Sequence, residues 1–534
     1  MPDKLNGLPD SSQYGAATYQ KLKDVGDGSF AQIVTFPNGF RDVTGRLKTS
    51  KHQNMYDADF EYGPQPLRWE NYLSGGASIT HLPGEGGVRM RLTTAAGDIS
   101  IRQSRPYHRY QPGKTMFMAT AMNLGFANAG QVQRIGFFDD GNGIFFEQST
   151  PVPGTNPFGM FVVVRSDAGG IPVDNRIPLN QWNSGNDNAF LTKPSAAVLA
   201  LDWTRMQMIF CEYAWYGAGA LRWGVMINGE PIILHQFGIG NLAGQIRPWA
   251  RTGNLPVRYE QRNITSQASP NDMIHYGVSV LIEGGIDPQR GFTYGYGMSA
   301  ATPRRAIAAS TSRFPLLSFR YRAMGTQEYT QASSAVTAGT TTSVTATGTP
   351  WIVDQWKGRY VFFPGLGASG AGAIARITTN TTSTLTFVDN VKGGPIAVAP
   401  AAAQAYTIGI INRGQLLPVT LYLSTDQPVT LELISSTTGS PVVLTAASFQ
   451  TMASLGSNQS FAERDVSATS LTGGEVVYNA PVNAGAPPPF DLSNFFPLYN
   501  NVQGNQPDLL TVAITTGATI SNVGCSIIAQ EAMS

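Results

Sequence analysis

The segment LDWTRMQMIFCEYAWYGAGALRWGVMINGEPIILHQF, residues 201–237, restricts the fold more than any other part of the chain. Leu221, Trp223, Val225 and Ile227 fall at every second position and run into Asn228-Gly229. Period-two alternation ending in Asn-Gly predicts a β-hairpin, because Asn and Gly tolerate the positive φ angles of a tight turn. Met206, Met208, Ile209 and Phe210 lead into it through Trp215-Tyr216-Gly217-Ala218-Gly219, and Ile232, Ile233 and Leu234 follow it. The pattern predicts three consecutive antiparallel strands with two tight connections, the spine of a packed sheet.

The same period recurs over much of the chain. Val88, Met90 and Leu92 alternate with arginines, and Ile99 and Ile101 follow a Gly97-Asp98 turn. RIGFFDDGNGIFFEQ (134–148) reads as two strands joined through Asp139-Asp140-Gly141-Asn142-Gly143, and FGMFVVV (158–164) and MIHYGVSVLI (273–282) read as buried strands. No amphipathic helical pattern interrupts them, so the expected class is all-β. The GALRWG hairpin resembles the sheet pattern of concanavalin-like sandwiches.

A chain of 534 residues exceeds one ordinary core. Residues 1–54 are punctuated by Gly, Asp and Pro and read as an arm or small subdomain. Residues 55–326 form a large antiparallel sandwich of the jelly-roll or concanavalin-like kind. Composition then shifts to Thr, Ala, Ser and Gly over 327–408, a small inserted β-module whose core Trp351, Trp356 and Tyr360 can anchor. Alternation resumes from 409 to 534, a C-terminal β-sandwich with a stiff Pro487-Pro488-Pro489 loop suited to a contact arm.

Charged residues make up 13% of the chain, about half the ~25% usual in soluble proteins. Neighbouring subunits are therefore expected to cover much of the surface. A formal net charge of +1 provides no field to gather nucleic acid or an anionic membrane. Cys211 and Cys525 are far apart and predict no disulfide framework. The N-terminus lacks an apolar signal region and no run of about 18 apolar residues follows, so neither Sec export nor a membrane span is expected. Nucleophile elbow, P-loop and zinc-protease motifs are missing, and no glycine-rich stretch stands between a strand and a helical pattern as a dinucleotide fingerprint requires, so no catalytic residue, metal or cofactor is assigned.

Four groups of side chains are candidate sites. Asp57, Asp59 and Glu61 alternate with Ala58, Phe60 and Tyr62, which in a strand puts three carboxylates on one face, a cation or sugar-hydroxyl site or a solvated face. Arg102, Arg105, Tyr107, His108, Arg109, Tyr110 and Lys114 mix cations with aromatics. Such a mixture suits base stacking with phosphate binding or a subunit contact, and the near-zero net charge favours the contact. Trp215, with Tyr213 and Tyr216, can present ring faces to a sugar, whereas Trp223 is in phase with Leu221 and Val225 and reads as core. Asp139, Asp140 and Glu147 form the other dense acidic set, and glycoside hydrolysis would need two such carboxylates about 5–10 Å apart.

Five blocks, YDADFEYGPQPLRWE (56–70), IRQSRPYHRYQPGK (101–114), RIGFFDDGNGIFFE (134–147), WYGAGALRWG (215–224) and NLPVRYE (254–260), together resemble a group of tailed-bacteriophage virion structural proteins. Residues 349–387 are similar to small β-modules of phage tail appendages, and 473–514 to the terminal sandwich of the same virion proteins. The resemblance implies a structural, non-enzymatic part of the tail, fibre or neck, assembled in the host cytoplasm. It further implies a homo-oligomer, trimer or hexamer, with other virion proteins as partners. A host surface glycan is the further partner if the part contributes to attachment. The alternatives are a carbohydrate-binding receptor-recognition module, a polysaccharide-degrading tailspike and a capsid-decorating protein.

Overall fold

The computed structural model describes residues 52–183, 201–227, 229–240, 246–285, 291–298, 305–331, 336–366, 372–436, 440–451 and 460–532, with three strands before them. Those three, β1 (Leu5–Gly7), β2 (Tyr19–Asp24) and β3 (Phe30–Gln32), pair as an antiparallel meander in the region expected to be an arm. The rest of 1–51 lies outside the described residues.

The large domain follows with β4 (His52–Ala58), β5 (Trp69–Ser74), β6 (Ser78–Leu82), β7 (Gly87–Leu92), β8 (Ile99–Ser104), β9 (Met116–Asn123), β10 (Gln131–Phe138), β11 (Gly143–Gln148) and β12 (Met160–Ser166). It continues with β13 (Val173–Pro178), β14 (Gln207–Tyr213), β15 (Leu221–Ile227), β16 (Glu230–Phe237), β17 (Val257–Asn263) and β18 (Asn271–Glu283). One sheet has the order β13-β12-β11-β10-β17-β8-β5. The other has the order β16-β15-β14-β9-β18-β7-β6, with β4 also on β18. Among the described residues helix is limited to a single 3₁₀ turn, Leu179–Gln181. The expected all-β jelly-roll sandwich is the fold.

The two sheets face each other across one core. Ile135, Phe137, Ile144, Phe146 and Tyr259 from the first sheet meet Met118, Ile209, Trp223, Val225 and Val280 from the second, all shut off from solvent. Burial of each such side chain contributes about 1.5–3 kcal/mol. The three strands of 201–237 are consecutive and antiparallel, and Ile227 pairs with Glu230; Asn228, the first residue of the expected turn, lies outside the described residues. They lie towards one edge, however, with β16 outermost. The hub is β18, 13 residues long, paired with β9 on one side and with β7 and then β4 on the other. A bulge between His275 and Val278 shifts its register against β9.

The sequence boundary at 326 is too late. Strands β19 (Phe292–Gly297), β20 (Arg305–Ile307) and β21 (Ser310–Tyr321), expected in the large domain, pair instead with C-terminal strands. Alternation identifies a strand but not its partner, and these partners lie some two hundred residues onward. The large domain's sheets therefore end at β18. In the C-terminal sandwich one sheet runs β19, Ile520–Ala532, Gln415–Thr425, Phe490–Asp491, with β20 beside Ile520–Ala532. The facing sheet includes β21, Leu509–Thr516 and Val429–Ser435. Leu317, Phe319, Leu421, Leu431, Val512 and Ile527 fill the space between.

The module is an insertion between β21 and Gln415–Thr425, a seven-stranded sheet from Met324–Gln331 to Val336–Gly339 in spatial order. Trp351 and Trp356 anchor its core as expected. Tyr360 does not; it lies on the other face with Met324, Ile374 and Ile411, turned towards the large domain. Cys211 and Cys525 are both free and buried.

Candidate functional site

The aromatic group sits on the 214–220 connection, which is longer than a tight turn. Gly219 donates its N–H to the Trp215 carbonyl and Trp249 donates to that of Gly217. Tyr213 belongs to the core: its ring is fully buried, stacked on Tyr110 at 6.1 Å, and its hydroxyl donates to the Gly253 carbonyl at 2.6 Å. Trp215 is half-buried, with Nε1 donating to the Ala250 carbonyl at 2.9 Å. Tyr216 is 58% exposed and adopts φ +37°, a conformation that costs a bulky residue about 1–3 kcal/mol. Tyr110 stands edge-on to both Trp215 and Tyr216. Of the three expected sugar-facing rings, Tyr216 alone is freely presented. Trp223 is core, as its phase indicates.

Within the cationic cluster at 102–110, Arg105 and Tyr107 make contacts between domains of one chain, while Arg102 and Tyr110 are buried in the large domain. Arg102 points into the large domain's core, where its guanidinium lies 5.1 Å from the Phe60 and Trp69 rings and donates to Asn71 Oδ1 and the Pro64 carbonyl. Burial lowers its pKa to about 10. Arg105 reaches the other way. It grips Asp508 of the C-terminal sandwich through Nη1, at 2.8 and 2.7 Å, and Glu70 through Nη2 at 2.8 Å. Tyr107 is buried under Arg413, whose guanidinium lies 5.1 Å from the ring and donates to the Asn501 and Val502 carbonyls. Tyr110 is buried beside Tyr213, and Arg109 lines a cleft of about 650 Å³ between the large domain and the C-terminal sandwich. The sequence groups Arg102 with Arg105; what covers each of them is set by distant chain.

A third feature escaped sequence analysis. On β17 the outward residues Arg258, Glu260 and Arg262 alternate with core residues Val257 and Tyr259, a charged stripe at period two. Partner strands add Arg134 and Glu147 in register with Glu260. Arg134 joins Glu147 and Glu260, each at 2.7 Å, Arg262 adds a bond to Glu260 at 2.6 Å, and Arg176 also pairs with Glu147. Arg258 grips Asp140, and Arg165 grips Asp174. The network is nearly dry, with Glu147 and Glu260 at most 1% exposed. Burial alone would raise the Glu260 carboxyl, but Arg262, Arg134 and Arg258 outweigh it and hold that group well below the usual carboxylate range. The signal was present in the sequence: an alternating Arg-x-Glu-x-Arg opposite apolar residues.

This arrangement bears on the acidic candidates. Glycoside hydrolysis needs one carboxyl protonated near neutral pH and a second within about 5–10 Å in an open cleft. Glu147 and Asp140 are each held by arginine. Asp139 caps its turn by accepting the Gly141 and Asn142 N–H groups; burial opposes its charge, but Arg413 and Arg258 with these amides lower its pKa. Asp57 and Asp59 alternate with buried Ala58 and Phe60 as expected and are exposed, with Asn54 donating to Asp57. The alternation stops there: Glu61 and Tyr62 are both exposed, Tyr62 at 90%. Among the described residues no group of three or more His, Cys, Asp or Glu is placed to hold a metal ion. Among the described residues no helix is long and apolar enough to cross a membrane.

No family model matches the chain, and no curated protein matches it. Among solved structures it is similar to a glycosyl hydrolase family 16 protein from Mycobacterium smegmatis, at 11% identity over 43% of this chain and 100% of that one, TM-score 0.29. A β-1,3-glucanase from Mycobacterium marinum gives 11% identity over 43% and 98%, TM-score 0.28. The carbohydrate recognition domain of Emp47p gives 11% over 45% and 100%, TM-score 0.27. Likenesses of this size carry no activity over to this chain.

Proposed function

We propose that the chain is a non-catalytic structural component of a tailed-phage virion, one copy in an oligomeric part of the tail, fibre or neck. One observation carries the reading: two of the blocks that resemble virion proteins supply residues that clamp the large domain to the C-terminal sandwich. YDADFEYGPQPLRWE provides Glu70 and IRQSRPYHRYQPGK provides Arg105, which joins Glu70 to Asp508, and Tyr107, which lies under Arg413; RIGFFDDGNGIFFE and NLPVRYE supply Arg134, Asp140, Glu147, Arg258 and Glu260, which pair with one another on one face of the large domain. Carboxylates held by guanidinium groups in a dry network make a rigid sheet face and are poorly placed to serve as acid and base for hydrolysis. The test is native mass spectrometry of the purified chain with cryo-electron microscopy of intact particles. Several copies at fixed positions in the particle are expected. A compact monomer at high concentration, with no density in the particle, would refute the proposal.

Glycan recognition is the second reading, favoured by Tyr216, an exposed ring held at positive φ beside Trp215. Tyr216→Ala should abolish any signal on a glycan array and slow adsorption to host cells. Array silence with unchanged adsorption would remove this reading.

A further inference from the structure

We propose that the cleft between the outer face of the seven-stranded sheet of the large domain and the inserted module binds a small hydroxylated oxyanion, a sugar acid or a sugar phosphate. The cleft encloses about 370 Å³. That volume falls within the roughly 300–1,000 Å³ of small-molecule sites. It is a seam between two independently built units, a common place for such sites, and charge dominates its lining.

The argument rests on which charges already have partners. Among the lining residues, Asp140 is held by Arg258 and Asp174 by Arg165. Arg134 is committed to Glu147 and Glu260, and Arg262 to Glu260 and the Val391 carbonyl at 2.7 Å. Two lining cations remain. Arg376 is 3% exposed and closes no ion pair among the described residues. Its Nη2 donates to the Tyr360 hydroxyl at 2.8 Å, while Nη1 is buried with no hydrogen-bond partner. Lys392 is exposed and acts on Asp389 without closing an ion pair among the described residues.

A buried guanidinium with an unfilled donor is costly, and an oxyanion is the group its planar fork fits best. The remaining carboxylate in the lining, Asp389, is tied into its own turn. Its Oδ1 accepts the Val391 and Lys392 N–H groups, and burial raises its pKa against those amides and the Lys392 charge. Asn390 donates Nδ2 to the Gln503 carbonyl, and its Oδ1 is buried with no partner, an acceptor that a ligand hydroxyl would satisfy. Unfilled donor, unfilled acceptor and flanking cation together specify a molecule with both an oxyanion and hydroxyl groups.

The experiment is isothermal titration calorimetry of the full chain at low salt with glucuronate, inorganic phosphate and glucose as probes. Glucuronate is expected to bind, glucose is not, and Arg376→Gln should weaken glucuronate by about tenfold or more. Lys392→Ala, on an exposed side chain that does not endanger folding, should weaken it a few-fold, and the loss should shrink as salt is added. Phosphate binding with the same dependence on Arg376 and Lys392, and no response to glucuronate, would support the oxyanion site and assign phosphate as the anionic group. Glucose binding as tightly as glucuronate, binding unchanged in both variants, or no binding of any probe would overturn the proposal.

Discussion

The joint between the large domain and the C-terminal sandwich is expected to loosen as pH rises towards 8, because one arginine serves two buried carboxylates. Arg105 meets Asp508 twice and Glu70 once, so the cluster carries one excess negative charge when both acids are ionised. Burial, with a smaller contribution from Asp508, raises the Glu70 pKa to about 7 against the pull of Arg105. The folded carboxyl therefore holds its proton up to about pH 7, the unfolded one only to about 4.5. Between these values the native state binds more protons, so stability falls as pH rises through the window. The gap corresponds to about 3 kcal/mol at most, somewhat over a hundredfold in an opening equilibrium. Hydrogen-exchange mass spectrometry of segments 60–75 and 498–510 at pH 5.5 and 8, corrected for intrinsic rates, reads this directly. Wild type should lose protection at pH 8. Glu70→Gln should keep it at both pH values, and Arg105→Ala should lose about 3–5 kcal/mol of protection at pH 8 by stranding both acids. Equal wild-type protection at both pH values, or a Glu70→Gln loss at pH 8 as large as that of Arg105→Ala, would show that Glu70 is a net attractive partner and refute the reasoning.

Other perturbations probe the remaining joints. Arg134→Met removes one charged hydrogen-bond partner each from Glu147 and Glu260, which keep Arg176 and Arg262, and should cost about 1.5–3 kcal/mol in urea unfolding, with Glu147→Gln in the same chain recovering part of it. His108, fully buried, has its pKa lowered to about 3 by burial, so its neutral form stabilises the fold; that contribution is lost as pH falls from about 6.5 towards 3, and His108→Phe should flatten acid unfolding over this range. Gly358, at φ +81°, lies where an added Cβ would come 2.3 Å from the Gly170 carbonyl oxygen of the large domain, so Gly358→Ala should release the module to limited proteolysis. Trp223→Ala should cost about 3–5 kcal/mol by opening a core cavity, whereas Tyr216→Gly should be neutral or stabilising because it relieves a positive φ; both are readable by thermal unfolding.

The sandwich was legible because its elements obey a local rule. Leu221, Trp223 and Val225 share a face whatever surrounds them, and the short spacing between the two strands brings Ile227 opposite Glu230. What covers the other face is not local. Arg105 and Arg102 look alike in sequence, yet one clamps a residue 403 positions away and the other lies among core aromatics. The same limit misplaced β19 to β21, whose alternation fits either sandwich. Tyr213 and Tyr216, three apart in an aromatic-rich connection, part company because the chain turns through positive φ between strands. The charged stripe on β17 could have been read from its spacing; its burial could not, since that depends on where the inserted module docks.

The pairing of β19 has a consequence for how the chain matures on the ribosome. Phe292 meets Glu531, 239 residues later (531 − 292), on the strand Ile520–Ala532, which lies between β19 and Gln415–Thr425 in its sheet. At about 5–20 residues per second, β19 waits roughly 12–48 s for its partner to be synthesised. The large domain, whose sheets use residues up to Glu283, can close long before then. A chain that stops short of residue 520 would retain a folded first half and a permanently open second. The strand Ile520–Ala532 thus acts as a keystone, and closure of the C-terminal sandwich waits on its synthesis.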